Sequence, residues 1–460
     1  MNRFEIASLP QYRWLTSDQQ SNIAFDVMSS SLLELDDLTL SILQSVECNE
    51  ADESIIARLS EHFSVEQVTM ALGCIEEKIN SGELLPTTTA RTDQEHYAKF
   101  CPSALILNIS EECQLACRYC FANGGDYSCP TGNMSVETAK RAIDMLRQYG
   151  DRAGVMISLF GGEPLMNWEV FTAVVEYAEE VLHDEFAVVA FGCTTNAIGM
   201  TSERAAFFKL HNIDPMISID GSEAVHNNLR PTRDREVNSW QASMEGIKLC
   251  QEAGVNVTLR ATITSASEDI RDLVALFREH GITKFNFQPI TCAPEDPLAL
   301  GLEALHEHEE QAREHIFHRV TNISSFDTFL QRVLGKHNRN RFCFMGSRTV
   351  TVASNGDIYP CHRFVGKESF MCGNVNTNDL DAEHMVHYLS EFNVDDIRSG
   401  CSHCWMRYLC SGTCYGEAMD ENGTIARPNS KRCMINQGLI SLAIEKVLHS
   451  RKALSGVRNA

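Results

Sequence analysis

Three cysteines, Cys113, Cys117 and Cys120, lie within eight residues and form a CxxxCxxC motif. Thiolates are soft ligands that suit iron–sulfur clusters or zinc. A structural zinc site is normally closed by four ligands, and the next cysteine, Cys129, comes nine residues after Cys120, which does not fit that spacing. The triplet therefore predicts a four-iron cluster that the chain binds at three corners, so that the fourth iron stays open to another ligand.

Polar motifs end several apolar runs after this triplet. The first follows the run VMISLF, about forty residues downstream of Cys120. Glycine at such a position allows close approach of the backbone to a ligand. Because the carboxyl ends of parallel strands meet at one end of a barrel, these motifs are expected to lie together. They are Gly161-Gly162-Glu163, Thr194-Thr195-Asn196 and Ser218-Ile219-Asp220-Gly221.

With these motifs the chain resembles the radical S-adenosylmethionine (SAM) enzymes. In that family the open iron binds the amino and carboxylate groups of SAM, and electron transfer cleaves SAM to methionine and a 5′-deoxyadenosyl radical. The resemblance implies that the three cysteines bind the cluster. Arg230 and Arg260 are candidates for the SAM carboxylate, with a surface or loop-anchoring salt bridge as the alternative. The implied cofactor-binding residues are Tyr119, Phe121, Gly161, Gly162, Glu163, Thr195, Asn196, Ser218, Asp220, Arg230 and Arg260.

A second group of cysteines begins at residue 343 and resembles the SPASM domain, a C-terminal extension of some radical SAM enzymes that holds two auxiliary [4Fe–4S] clusters. The alternative for this region is zinc at the CxxC pair. The resemblance implies that Cys401, Cys404, Cys410 and Cys433 bind one cluster, and that Cys414 joins Cys343 and Cys361 at the other. Cys372 is a candidate fourth ligand there; otherwise it is a small buried thiol, and the iron stays open to a substrate thiolate or water.

Charge and cysteine content bound the partners and the compartment. The chain has 39 basic and 62 acidic residues, a net charge of −23, which disfavours binding to nucleic acid or anionic membranes. The first residues do not show the pattern of a secretory signal peptide, which predicts a reducing, cytoplasmic location. In that compartment the 18 cysteines indicate metal binding and not disulfides. No apolar run approaches the roughly 18 to 20 residues of a membrane span.

The length of the chain predicts several domains, since 460 residues exceed the size at which a single hydrophobic core stops growing. Between 100 and 300, six apolar runs alternate with amphipathic ones, which predicts an α/β fold. The family resemblance makes it a partial (β/α)6 TIM-like radical SAM barrel. The predicted strands are 104–109, 155–160, 186–192, 215–220, 255–263 and 284–289, and the helices are 135–149, 167–182, 202–211, 239–253 and 267–280. The predicted domains are a peptide-recognition domain (1–95), the radical SAM core (100–300), a helical bridge (301–340), the SPASM domain (341–440) and a C-terminal helix or tail (441–460).

Residues 1–95 have the order of two short strands and three helices. This order resembles the winged-helix peptide-recognition domain of ribosomal-peptide-modifying enzymes, which adds a leader peptide as an edge strand. The alternative is a plain helical cap on the barrel. Residues 86–96 are the predicted linker, and 347–361 predict a β-hairpin that turns at Asn355-Gly356.

Segments 359–375 and 401–414 resemble the maturases that build thioether bridges, those of six-cysteine peptides and of quinohemoprotein amine dehydrogenase. This implies hydrogen abstraction from a peptide carbon and closure by a cysteine sulfur. The implied partners are a precursor peptide or protein with a leader and a low-potential donor such as ferredoxin or flavodoxin. An anaerobic sulfatase maturase is an alternative, but that group carries aspartate where His362 follows Cys361. Carbon–carbon cross-linking, a non-catalytic iron–sulfur electron carrier and a structural zinc protein are further alternatives. The substrate, the linkage and the oligomeric state stay open.

Overall fold

A computed structural model describes residues 12–16, 22–84, 99–128, 132–290, 292, 296–300, 324–335, 338–390, 392–395 and 398–456. The predicted linker at 86–96 and most of the predicted bridge at 301–340 lie outside these residues. The chain forms two compact units. We call Gln94–Ser324 with Cys343–Glu391 the barrel unit, and Met1–Asp93 with Ser325–Phe342 and Phe392–Ala460 the terminal unit.

The terminal unit begins with a small antiparallel sheet followed by three helices. The strands pair in the order β1-β2-β3, so a third strand is present where the sequence predicted two. The apolar residues Leu32 and Leu33 belong to β3, which ends just before the first helix. An apolar run this short is too short to show either the two-residue period of a strand or the 3.6-residue period of a helix. The elements are β1 (Tyr12–Thr16), β2 (Asn22–Asp26), β3 (Ser31–Leu35), α1 (Asp37–Glu47), α2 (Asp52–Leu59) and α3 (Val65–Asn80).

Local capping sets where these helices begin. The Asp36 side chain accepts a hydrogen bond from the Thr39 amide, 2.7 Å away, at the start of α1. Ser64 and Gln67 form a reciprocal capping box at the start of α3. The helices then bury one apolar face each in a common core, which includes Ile42, Ile55 and Val68.

The barrel unit contains the predicted six parallel strands, which confirms the α/β fold. Strand β6 lies three residues later than predicted, because the Phe186 N–H still donates a hydrogen bond to the Leu182 carbonyl at the end of the preceding helix. Helix α7 was not predicted, since its seven residues are too short to show a helical period. The elements are β4 (Ala104–Ser110), α4 (Val136–Tyr149), β5 (Val155–Gly161), α5 (Trp168–Leu182), β6 (Val189–Thr195), α6 (Ser202–Leu210), β7 (Asp214–Ser218), α7 (Glu223–Leu229), α8 (Ser239–Glu252), β8 (Thr258–Ile263), α9 (Ile270–Glu279) and β9 (Phe285–Pro289).

The predicted hairpin is present and extends the barrel sheet. Strands β10 (Thr349–Val352) and β11 (Ile358–Tyr359) are antiparallel, and β10 pairs in parallel with β4. The turn is closed by the Gly356 amide on the Ala353 carbonyl at 2.9 Å, with Gly356 at φ +93°. The sheet therefore has eight strands in the order β11-β10-β4-β5-β6-β7-β8-β9, and Cys361 follows its edge strand.

The remaining helices divide between the two units. The last one crosses residue 440, so the predicted boundary at 440/441 does not coincide with the end of an element. No helix among the described residues is long and apolar enough to cross a membrane. These helices are α10 (Ser324–Gly335), α11 (Ala382–Ser390), α12 (Arg407–Cys410), α13 (Tyr415–Asn422) and α14 (Ser430–Gly456).

Candidate functional site

Cys113, Cys117 and Cys120 lie in one loop after the carboxyl end of β4. Burial raises the pKa of Cys113 to about 12 and that of Cys117 to about 11, and the neighbouring thiols add to both shifts. Backbone amides point at two sulfurs, from Leu115 to Cys113 at 3.4 Å and from Gly124 to Cys120 at 3.2 Å. Buried thiols of this kind become thiolates when a metal replaces the proton, so the loop fits an iron–sulfur cluster.

A segment after α7 holds this loop in place. Leu115 and Thr232 form an antiparallel bridge, and the Arg233 Nε donates to the Cys113 carbonyl at 2.7 Å. Sequence reasoning missed this segment, whose only signal was the extended run RPTR after a short helix. Three further backbone hydrogen bonds join the two segments: Ala116 to Pro231 (2.8 Å), Arg118 to Leu229 (3.0 Å) and Arg233 to Gln114 (3.0 Å). We call residues 229–233 the strap.

Asp220 and Arg230 form a buried ion pair behind the loop. Asp220 accepts from Arg230 Nε at 2.8 Å and from Nη2 at 3.0 Å, and also from the Tyr119 hydroxyl and the Thr262 amide. Burial alone would raise the pKa of Asp220, but the charge and hydrogen bonds of Arg230 outweigh it, so the pKa lies below its ordinary value. Asp220 and Arg230 are both predicted cofactor-binding residues, with a salt bridge as the alternative for Arg230; in the structure the two side chains contact each other, and their contact with SAM stays a prediction. The pair links the cluster loop, through Tyr119, to the strap.

Glu163 joins the ends of β5 and β6. Its carboxylate accepts from the Thr195 hydroxyl at 2.6 Å, the Asn196 amide at 2.8 Å and the Leu165 amide at 3.1 Å. Burial raises its pKa to about 7, although these hydrogen bonds oppose the shift. The Asn196 Nδ2 in turn lies 3.8 Å from the Cys113 sulfur. Three of the predicted site residues and the cluster loop therefore lie together.

The two glycines before Glu163 are crowded by the protein's own backbone. Gly161 has φ +129°, and a Cβ there would lie 2.2 Å from the Ser110 carbonyl oxygen. A Cβ at Gly162 would lie 2.4 Å from the Glu112 carbonyl oxygen. Glycine is thus needed for the approach of β5 to the start of the cluster loop, and not only for approach to a ligand.

Aromatic and basic side chains surround Phe121, directly after the triplet. Its ring centroid is 5.8 Å from that of His362, which lies 5.0 Å from that of Phe160. The Arg363 guanidinium lies 4.6 Å from the centre of the Phe121 ring. Burial lowers the pKa of His362 to about 3, and the charges of Arg363 and Arg260 add to the shift, so the imidazole is neutral.

The two other predicted site residues lie on neighbouring strands. Ser218 is buried at the end of β7, and Arg260 is its register partner in β8. Burial lowers the pKa of Arg260, and the charge of Arg230 contributes.

Four cysteines gather in the terminal unit, three from the segment around α12 and one from α14. Burial raises the pKa of Cys401 and of Cys433 to about 12, and neighbouring thiols add to both shifts. Cys404 and Cys410 are among those neighbours, and Asn436 Nδ2 donates to the Cys410 sulfur at 3.2 Å. These four thiols are the ones predicted to bind one auxiliary cluster, and that ligand set stays a prediction.

Cys343, Cys361 and Cys372 lie in the barrel unit, whereas Cys414 lies in the terminal unit. The predicted set of Cys343, Cys361 and Cys414 therefore draws on both units and stays a prediction. Cys372 is buried and its thiol donates to the Phe370 carbonyl at 3.3 Å, which supports its interpretation as a packed thiol.

Within the part of the chain that the structure describes, no three His, Cys, Asp or Glu side chains converge closely enough to hold one metal ion.

Comparison with known proteins agrees with this geometry. A family model described as "Radical SAM superfamily" matches residues 107–277, and one described as "Iron-sulfur cluster-binding domain", SPASM, matches residues 343–405. The cysteine-type anaerobic sulfatase-maturating enzyme of Clostridium novyi is 23% identical over 337 residues, which are 68% of this chain and 87% of that protein.

Two solved structures share the fold. The enzyme anSMEcpe with bound AdoMet has a TM-score of 0.65 and 18% identity, over 77% of this chain and 100% of that one. SuiB of Streptococcus suis bound to the precursor peptide SuiA has a TM-score of 0.54 and 18% identity, over 92% of this chain and 99% of that one. The likeness to SuiB thus extends over more of this chain.

Proposed function

We propose, since the chain is a radical SAM enzyme that carries a SPASM domain, that it modifies a ribosomally made peptide or protein by joining a cysteine sulfur to a carbon. The radical SAM domain binds a [4Fe–4S] cluster and SAM, and the SPASM domain binds auxiliary iron–sulfur clusters. Cys113, Cys117 and Cys120 are the proposed ligands of the first cluster. Cys401, Cys404, Cys410 and Cys433 are those of one auxiliary cluster, and Cys343, Cys361 and Cys414 those of the other.

The main structural support for a peptide substrate is the open edge of strand β3. In the described part of the chain β3 pairs with β2 alone, so its outer backbone groups are available to a further strand. Leu33 and Leu35 pack against the helical core, which leaves Leu32 and Glu34 on the opposite face. An extended leader peptide that paired with β3 would hold the rest of the precursor close to the enzyme. SuiB, which is similar over 92% of this chain, was solved with its precursor peptide.

When bound, the cofactors would supply a radical that removes one hydrogen atom from a peptide carbon. The thiol loses its proton as the carbon–sulfur bond forms, and the cofactors would also accept the one electron that this leaves over. The chain's own residues place and shield these groups. Glu163, held by Thr195 and Asn196, offers a buried carboxylate for the SAM ammonium group. Asp220 holds Tyr119 and Arg230, and so positions the cluster loop.

The residue after Cys361 favours thioether formation over formylglycine formation. His362 occupies the place where the resemblance implies an aspartate base in sulfatase maturases. Its ring lies between Phe121 and Phe160, and burial lowers its pKa to about 3. The aspartate that the resemblance to sulfatase maturases would require at this position is therefore replaced by a buried imidazole.

The test uses anaerobically reconstituted enzyme, SAM and dithionite with cysteine-bearing precursor peptides encoded beside its gene. A thioether product keeps its sulfur, loses two hydrogen atoms and resists alkylation at that cysteine. A formylglycine product from cysteine loses its sulfur and reacts with hydrazides, so finding it would overturn the proposal. An unmodified peptide with abundant 5′-deoxyadenosine would contradict this substrate class.

Removing the leader separates recognition from chemistry. We expect a leaderless peptide to bind at least about tenfold more weakly, and the Leu32→Glu variant to weaken the full-length precursor similarly. Glu66→Lys, an exposed position at the start of α3, is the control and should bind normally. Equal affinities for the two peptides would remove β3 from the proposal.

A further inference from the structure

A basic cavity of about 720 Å³ opens on the barrel unit beside the cluster loop. Its lining includes Ala116 and Arg118 of the loop, Arg233 of the strap, and Arg235 and Val237 beyond it. The three arginines are exposed, and Val237 is 51% exposed. The cavity thus combines a small apolar patch with three accessible positive charges.

These arginines stand out because the chain as a whole carries a net charge of −23. Among the described residues none of the three makes an ion pair; Arg118 Nη1 meets the Asn228 amide oxygen at 3.3 Å, and Arg233 meets a backbone carbonyl. Glu236 also lines the cavity and offsets one charge. The cavity therefore has a local surplus of positive charge in a chain whose net charge is negative, which favours an anionic partner there.

One wall of the cavity is formed by the cluster loop, through Ala116 and Arg118, and the rest is formed by residues 227–239. Arg118 stands between Cys117 and Tyr119, and Arg233 holds the Cys113 carbonyl at 2.7 Å. Whatever occupies the cavity therefore contacts the backbone that carries the three thiols. Because electron transfer falls steeply with distance, a redox protein bound against this loop would be well placed to reduce the cluster that these thiols are proposed to hold.

We propose that this cavity is the docking surface of an acidic, low-potential one-electron carrier protein. Docking would let the carrier give up one electron and the cluster gain it, with no bond formed or broken. Charge complementarity steers such encounters, and transient redox interfaces are small, often below about 1,200 Å². This proposal rests on the proposed radical function in one respect: that function requires the cluster to be reduced.

The test measures binding of a flavodoxin and, separately, of a plant-type ferredoxin to the reconstituted enzyme by calorimetry at two salt concentrations. The docking variant is Arg235→Glu; Arg118 and Arg233 are spared because the first belongs to the cluster loop and the second holds it. We expect at least one carrier to bind the wild type, with affinity that falls as salt rises. The docking variant should weaken that binding about threefold or more, since an attractive contact becomes repulsive.

The matched control is Arg278→Glu, which changes the net charge equally at an exposed position on α9. It should bind the carrier like the wild type. Equal weakening in both variants would mean that only net charge matters, and would overturn the proposal. So would the absence of carrier binding to the wild type, or a docking variant that loses affinity only for an acidic substrate peptide.

A second readout separates this inference from the proposed function. Reductive SAM cleavage driven by the reduced carrier should slow in the docking variant, while cleavage driven by dithionite should not. If wild-type enzyme with dithionite cleaves SAM but modifies no peptide, the thioether proposal fails and the docking result still stands. If cleavage with both reductants slows equally, Arg235 acts on the cluster loop and the docking proposal fails.

Discussion

The carboxylate of Asp220 and the guanidinium of Arg230 make two hydrogen bonds, of 2.8 and 3.0 Å, in a fully buried setting. The pair connects the end of β7 to the strap, and through Tyr119 to the cluster loop. A buried ion pair adds little to folding stability compared with an apolar pair of the same shape, but the loss of one partner leaves an uncompensated buried charge, which is strongly destabilising. The pair therefore fixes the position of the loop, and its disruption should be costly.

Asp220→Asn should lower the free energy of unfolding by about 3–5 kcal/mol, because Arg230 keeps its buried charge. Chemical denaturation of the reconstituted enzyme measures this. The control, Arg147→Gln, breaks an exposed ion pair with Glu185 and should cost only about 0–1 kcal/mol. Similar losses for both variants would contradict a special role for the buried pair.

The buried carboxyl of Glu163 should make stability fall as pH rises. Its pKa is about 7 in the folded protein against 4.5 in the unfolded chain, so the folded state binds more protons between these values. The stability lost by pH 8 amounts to about 3 kcal/mol. Thermal midpoints at pH 5 and pH 8, without SAM, should fall further for the wild type than for Glu163→Gln. Parallel pH profiles would show that Glu163 does not titrate in this range.

Gly162→Ala should destabilise the protein by about 1–3 kcal/mol, because the new Cβ would lie 2.4 Å from the Glu112 carbonyl oxygen. It should also displace the cluster loop and lower iron content. Gly73→Ala is the control: it lies exposed inside α3 with nothing within 4 Å of the new Cβ, and should stabilise the helix by about 1 kcal/mol. Denaturation and iron analysis of both variants test this pair, and an unaffected Gly162→Ala protein would refute the close approach.

Cys410→Ala should remove about four irons per chain, since it deletes one ligand of the proposed four-thiol cluster. Cys250→Ala alters an equally buried thiol in α8 that lies outside the cluster motifs, and should keep its full iron content. Iron and sulfide analysis distinguishes the two. Stoichiometric zinc in the wild type, lost in Cys410→Ala, would instead favour a structural zinc site.

The sequence by itself indicated the cluster-binding motifs and the order of the barrel strands. The CxxxCxxC spacing, the polar ends of the apolar runs and the later cysteine pattern are local features, and each places its donors without knowledge of the rest of the chain. The six barrel strands and the hairpin at Asn355-Gly356 were predicted for the same reason, since period and turn residues act over a few positions. The third strand of the terminal unit and the seven-residue α7 were missed where the runs were too short to show a period.

Only the tertiary structure decided which side chains meet. Tyr119 and Asp220 are 101 positions apart, and their hydrogen bond depends on how β7 packs beside the cluster loop. The same holds for β10, whose pairing with β4 turns a local hairpin into part of the barrel sheet. Sequence spacing specifies local geometry, whereas contacts between distant segments depend on the packing of all the elements between them.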